Sequence, residues 1–247
     1  MKHKIKKHNN ASSKSHTHVH LWDIPKRYFP RNSKAKNYRA DVLRLVESLA
    51  YTNKLTQYSS MVAVFNIKSI HQSKPYIPRP NETFGRIEDF VYHYENYCHR
   101  VFAFREKILQ FLNATLPIGY TEKQVKIEHI IINPIVKQAK IIPLIEKFSK
   151  PTSALCKLIA DRHQLTHRIY YGDKFDHFLR PNQNVNQSSF ESWLGEWEKE
   201  ILKRAAQVGR AEYEISEICN HLAERIMTYK DSISVAAQGA SSNKSKR

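Results

Sequence analysis

The sequence predicts an all-α protein, built as a four-helix bundle with an extra N-terminal helical element and disordered basic ends. Two observations lead to this fold class. The chain has only six glycines among 247 residues, which disfavours a fold with many tight hairpins. Its longer segments place apolar residues three and four positions apart, the spacing of one helix face. With 41% hydrophobic residues, the chain can build one sizeable core.

The N-terminal part of the chain divides at a proline-rich linker. Residues 1–36 form a disordered basic arm by composition, although aromatic residues after position 20 also fit an irregular packed segment. Residues 37–83 are expected to hold a helix over 37–58 and then a linker, because three prolines between positions 75 and 80 interrupt regular structure. The apolar run 59–70 fits a strand or a buried helix equally well.

The helical bundle is expected to span residues 84–230. It begins with a long amphipathic helix and ends with a second one, which starts at a capping box formed by Ser188 and Glu191. Residues 121–132 are ambiguous between helix and strand. Small polar residues make 231–247 a flexible tail. Four aromatic residues at helical spacing are expected to be core residues rather than a binding platform: Tyr94, Tyr97, Trp193 and Trp197.

Positive charge concentrates at the two ends of the chain. The formal net charge is +17, of which residues 1–40 carry +10 and residues 244–247 carry +3. The body between them carries only the remaining +4. Flexible basic arms suit a polyanion, most commonly nucleic acid, through salt-sensitive phosphate contacts. The alternative is a solubilising tail without a partner.

Several classes of site are disfavoured because their motifs are absent from the sequence. There is no Gly-rich nucleotide loop, GxSxG, HExxH or CxxC pattern. The three cysteines are far apart, so we expect a reducing cytoplasm, without disulfides or a Cys-based zinc site. No run approaches the roughly 20 apolar residues of a membrane span, and no secretory signal is recognisable. The alternation His16-x-His18-x-His20 fits a stray divalent metal less well than a mobile polar tail.

The segment with sequence Arg-His-Gln-Leu-Thr-His, residues 162–167, holds the candidate functional residues. A helix capped by Thr152 or Ser153 runs into it, and its apolar stripe continues onto Arg162. A guanidinium on a buried face is costly unless it meets an anion or lies in a wet cleft. Arg162 and His167 are about 140° apart on a regular helix. Both groups can therefore reach one phosphate only if the helix ends before His167 or a two-fold partner supplies a second copy.

Structural roles for the same residues remain open at this point. Arg162 could form a buried ion pair with Glu95 or Glu106 of the first bundle helix. His163 could be a satisfied core residue, and His167 a cap at the helix C-terminus.

This segment resembles the Arg-x4-6-His motif of the HEPN superfamily, in which a polar residue, here His163, commonly follows the arginine. The resemblance covers about residues 84–230. It implies a metal-independent endoribonuclease without a cofactor, working as a homodimer, often in defence or toxin–antitoxin systems with a cognate antitoxin protein. Under it, Arg162 and His167 are catalytic and His163 assists or orients them.

The implied chemistry uses the 2′-hydroxyl of RNA as the nucleophile. His167 serves as general base or acid because histidine titrates near neutral pH. Arg162 stabilises the charge on the phosphorane, and Tyr170 or Tyr171 stacks on a base. The expected product is a 2′,3′-cyclic phosphate. The competing hypothesis is a non-catalytic helical bundle that binds nucleic acid or protein.

Overall fold

The computed structural model describes residue 21 and residues 23–29, 34–71, 80–166 and 187–244. These residues form helices and no strands, so the all-α prediction is confirmed. Seven α-helices and three 3₁₀ helices follow one another in this part of the chain. The α-helices are α1 Lys34–His71, α2 Pro80–Thr115, α3 Ile127–Ile132, α4 Pro134–Gln138, α5 Ile142–Ile145, α6 Ala154–Thr166 and α7 Gln187–Lys244. The 3₁₀ helices are Lys26–Tyr28, Glu122–Gln124 and Glu146–Phe148.

Helix α1 is one continuous helix, which settles the ambiguity of residues 59–70. Its buried hydroxyl groups keep partners within the helix: Thr56 Oγ1 donates to the carbonyl oxygen of Thr52 at 2.9 Å, and Ser60 Oγ donates to that of Gln57 at 2.7 Å. Ala63 and Ile67 carry the buried face into the apolar run. Because the hydroxyl groups satisfy themselves locally, the helix can bury small polar residues without breaking.

Helix α1 is part of the bundle core rather than an addition to it. It packs along both α2 and α7. Gln57 Nε2 donates to the carbonyl oxygen of Ala205 on α7 at 2.9 Å, and Arg100 on α2 donates to the hydroxyl of Ser48. Leu49 and Val46 are buried in the same cluster as the bundle residues. The core is therefore formed by α1, α2, α6 and α7.

Three short helices connect α2 to α6. The segment 121–132, ambiguous in sequence, forms a 3₁₀ turn followed by α3. Asn133 caps α4, its side chain accepting the backbone N–H of Ile135 at 2.9 Å, and Pro134 is the first residue of that helix. Each short helix contributes one buried side chain to the core, which is Ile130 for α3, Val136 for α4 and Ile145 for α5.

The aromatic residues assigned to the core are buried as predicted. Tyr94 and Tyr97 are fully buried, and Trp193 and Trp197 are nearly so.

Part of the segment before α1 packs against the bundle. The sequence favoured disorder for residues 1–36 but also fitted an irregular packed segment after position 20, and Leu21, Ile24, Tyr28 and Phe29 are buried against the bundle. The Tyr28 hydroxyl donates to Asp231 at 2.7 Å. The apolar side chains spaced along this segment pack against the bundle, although the composition of the segment as a whole is basic.

Helix α7 also continues past residue 231, where the flexible tail was expected. Side chains 231–236 are exposed, so this extension rests on the hydrogen bonds of the helix itself rather than on core contacts.

Candidate functional site

The helix that carries the motif, α6, is held at its first turn by a carboxylate of α7. Glu214 accepts the backbone N–H groups of Ala154 and Leu155, both at 3.1 Å, and the Ser153 hydroxyl at 2.6 Å. Ser153 itself accepts the N–H of Leu155 at 3.2 Å, so of the two predicted caps Ser153 is the one used. A carboxylate at a helix N-terminus satisfies unpaired N–H groups and complements the helix dipole.

Near its other end, α6 is held by a buried polar cluster that we term the Asp161 cluster: Asp161, Tyr94, Arg204 and Gln207. Arg204 Nη1 lies 3.1 Å from Asp161 Oδ2, and Gln207 Nε2 lies 3.3 Å from the same oxygen. The Tyr94 hydroxyl of α2 also donates to this oxygen. Three elements thus converge on one carboxylate, one residue before the motif arginine.

The charge of Arg204 is balanced within the core. Its Nε lies 2.7 Å from Glu200 Oε1, its guanidinium lies over the Tyr94 ring at 4.8 Å, and its side chain is 4% exposed. Burial tends to raise the pKa of Glu200, but Arg204 and Lys203 outweigh it, so this pKa lies below its ordinary value. The Tyr94 pKa lies far above its ordinary value, because its hydroxyl is buried. Arg204 is therefore a cation between the carboxylates of Asp161 and Glu200, beside a neutral phenol.

Arg162 takes a different environment on the neighbouring face of α6. Its guanidinium lies over the ring of Phe102 on α2, 4.2 Å from the ring centroid. Arg105, one turn further along α2, lies over the same ring at 4.4 Å. Arg162 is half-buried rather than enclosed in the core. An aromatic ring that holds a guanidinium fixes its orientation.

His99 adds an imidazole to this surface. It lies one turn before Phe102 on α2 and is exposed. Partial burial and the positive charge of Arg162 both lower the pKa of His99 below its ordinary value. Because Phe102 holds Arg162 and lies three residues after His99 on the same helix, the imidazole and the guanidinium border the same surface. The described part of the site therefore combines guanidinium, imidazole and an aromatic ring.

The ion pair proposed for Arg162 with Glu95 or Glu106 is not found. Glu106 pairs instead with its neighbour Arg105, at 2.8 Å. Glu95 forms no salt bridge with any described residue, and its half-buried position raises its pKa above the ordinary value. The reason is geometric, since Arg162 leans onto Phe102 rather than reaching either carboxylate.

The remaining predicted site residues lie outside what the structure describes. His163 belongs to α6, but its side chain is not among those described. His167, Tyr170 and Tyr171 all lie outside the described residues. Their meeting with Arg162 therefore stays a prediction.

The described residues lack the features of two other kinds of site. They contain no group of three or more His, Cys, Asp or Glu side chains that could hold a metal ion. None of the helices in the ranges given above is both long and apolar enough to cross a membrane.

The Asp161 cluster escaped the sequence analysis, although a signal for it was present. Arg204 falls on the apolar stripe of α7 next to Ala205, as Arg162 falls on the stripe of α6. The argument that a charge on a buried stripe needs a partner applies to Arg204 more strongly than to Arg162. The sequence did not single out His99, because a histidine on the exposed face of a helix is common and needs no partner to explain it.

Comparison with known families decides the identity of this bundle. The model of the Cthe2314-like HEPN family matches residues 44–231, about three quarters of the chain. The chain belongs to this HEPN family. No curated protein and no solved structure matches the chain.

The HEPN match covers more of the chain than the motif-based resemblance, which began at residue 84. It begins within α1, so α1 is part of the HEPN region, as its packing in the core requires. Membership in this family suggests a nuclease-like or RNA-related role for the protein.

Proposed function

We propose that this HEPN protein is a metal-independent endoribonuclease that cleaves RNA through attack of a 2′-hydroxyl on the adjacent phosphodiester. Arg162 and His167 are its catalytic residues, with His163 orienting them and Tyr170 or Tyr171 stacking on a base. The observation that carries the proposal is the guanidinium of Arg162, which is held over Phe102 at 4.2 Å, half-buried, on a HEPN chain.

The chemistry follows from this position. A guanidinium that is already oriented by a ring pays little entropy when it binds a phosphate, and its charge stabilises the dianionic phosphorane. His167 exchanges protons with the reacting oxygens near neutral pH. In this proposal the protein acts as a homodimer. It is the toxin of a toxin–antitoxin pair, and its protein partner is the cognate antitoxin.

The test is cleavage of a labelled RNA in the presence of EDTA, with analysis of the product ends. We expect 2′,3′-cyclic phosphate and 5′-hydroxyl ends. Arg162→Ala should lower kcat by about 10²–10³-fold, and Arg162→Lys should not restore it, because an ammonium lacks the two-pronged geometry. His167→Ala should abolish cleavage.

The matched control is Arg210→Ala, which removes an exposed arginine of α7. It should leave cleavage unchanged, and thermal denaturation should show that every variant folds. A requirement for metal, or other product ends, would contradict the mechanism. RNA binding without cleavage by the wild-type protein would instead identify the non-catalytic binding bundle.

A further inference from the structure

The α2 surface beside Arg162 carries side chains that the Arg-x4-6-His motif does not include. Glu95, His99 and Phe102 follow one another at spacings of four and three residues, so they form one stripe along α2. The Arg162 contact with Phe102 shows that this stripe faces α6. One wall of the candidate site therefore comes from α2.

We propose that His99 is a further catalytic residue of this site, the general base that takes the proton of the attacking 2′-hydroxyl. This inference rests on the proposed ribonuclease function. His99 is exposed, and it lies one helical turn from the ring that holds Arg162. Side chains three residues apart on a helix have Cβ atoms about 5–6 Å apart. A phosphodiester bound to Arg162 thus brings its 2′-hydroxyl into the neighbourhood of the imidazole.

The reaction needs two proton transfers, one at the attacking oxygen and one at the departing oxygen. The bond from the 2′-oxygen to phosphorus forms while the bond from phosphorus to the 5′-oxygen breaks. His99 takes the proton of the 2′-hydroxyl, and the departing 5′-oxygen takes up a proton from water. No electron transfer is required, and His99 returns its proton to the solvent.

The electrostatic setting of His99 suits a base. Partial burial and Arg162 lower its pKa, so the imidazole is neutral and able to accept a proton near neutral pH. Among the described side chains of α6, Arg162 lowers this pKa through its positive charge. On α2 itself, Glu95 lies one turn before it and Arg105 lies beyond Phe102. Arg100 turns away towards Ser48 of α1.

The first experiment compares the pH dependence of steady-state RNA cleavage for the wild-type protein and His99→Gln. Glutamine keeps the size and hydrogen-bonding capacity of the side chain but cannot take up a proton. We expect kcat to fall about 10²-fold, KM to change less than twofold, and the acidic limb of the pH profile to disappear. His129→Gln, which changes an exposed histidine of α3, is the matched control and should behave as wild type.

An unchanged kcat, an effect on KM alone, or a preserved acidic limb would overturn the role of His99 as a base. Because His99 is exposed, the variant should fold, and thermal denaturation checks this.

The second experiment does not depend on activity. Titration of the His99 imidazole by NMR should show that Arg162→Gln raises its pKa, because the neighbouring positive charge is gone. Arg210→Gln is the control and should leave it unchanged. An unchanged His99 pKa in Arg162→Gln overturns the pairing of the two residues. Absence of cleavage by the wild-type protein overturns the ribonuclease and the base role together, and the titration then still reports whether Arg162 and His99 are neighbours.

Discussion

Arg162 and Arg204 come from different helices, and both lie against aromatic rings of α2, but their surroundings are opposite in kind. Arg204 of α7 lies over Tyr94 at 4.8 Å, and Arg162 of α6 lies over Phe102 at 4.2 Å. Arg204 is enclosed in the core and bonded to two carboxylates. Arg162 is half-buried on a surface whose described neighbours include an imidazole and a second guanidinium.

The same contact, a guanidinium over an aromatic ring, has a different role in each of these two places. A cation deep in the core must be compensated there, so Arg204 has its charge satisfied by Asp161 and Glu200 and holds α6 against α7. Arg162 is instead held at a half-buried position by the ring of Phe102. Since Asp161 and Arg162 are consecutive residues, the first fixes α6 and thereby sets where the second projects.

The largest expected effect on stability comes from Arg204→Met. It leaves Asp161 and Glu200 partly buried without their cation, so we expect a loss of about 3–5 kcal/mol in the free energy of unfolding. Urea denaturation measures it. Arg162→Met is the comparison and should cost less than about 1 kcal/mol while lowering RNA cleavage by about 10²–10³-fold. Equal losses of stability for the two variants would remove the distinction between the two arginines.

A smaller loss is expected at the start of α6. Glu214→Ala removes the acceptor of two backbone N–H groups and should cost about 1–2 kcal/mol, as the loss of a helix cap does. Glu224→Ala, on the exposed face of α7, is the control and should change stability little. If both variants unfold at the same urea concentration as wild type, the cap does not help to hold α6.

The pH dependence of stability should separate the two arginine environments. The pKa of Glu200 is lowered, so its contribution is present above about pH 4.3 and is lost as the pH falls through the lowered pKa. The pKa of His99 is also lowered, so its contribution is present above about pH 6.5 and is lost as the pH falls below that value.

Urea denaturation of wild type, Glu200→Gln and His99→Gln across pH 3–8 measures both windows. The difference between wild type and Glu200→Gln should shrink only in the acidic range. The difference in the free energy of unfolding between wild type and His99→Gln should change at higher pH, as the pH falls below about 6.5. A change of both differences in the same pH range would contradict the assignment.

The smallest effect is expected for Lys203→Ala. Lys203 Nζ lies 3.2 Å from Glu200 Oε2, but the Lys203 side chain is 67% exposed. Solvent screens such a pair, so we expect a change within about 0.5 kcal/mol. A large loss would mean that Glu200 depends on more than Arg204, and urea denaturation beside Arg204→Met would show it.

The sequence predicted the helices well where one face is strongly apolar and poorly where it is not. The stripe of α2 and the buried aromatic residues were read correctly, because helical periodicity records burial directly. The run 59–70 was ambiguous, because its buried positions include small hydroxyl-bearing residues. The burial of Leu21 and Phe29 was only one of two readings of the basic segment, since a few spaced apolar side chains do not show by themselves whether they pack.

The candidate site divides along the same line. Arg162 stood out in the sequence because a charge on an apolar stripe demands an explanation. The local pattern of residues could not show which group explains it, and both carboxylates proposed as partners were wrong. The ring of Phe102 and the imidazole of His99 come from a helix some sixty residues earlier in the chain.

Periodicity and motif spacing were thus enough to identify a helical HEPN bundle and its arginine, since both are properties of neighbouring positions along one helix. The partners of that arginine, the anchoring of α6 by Arg204 and Glu214, and the place of His99 depend on how α2, α6 and α7 pack together. Packing brings together residues that are far apart in the chain, and contacts of that kind leave no pattern in the order of the residues.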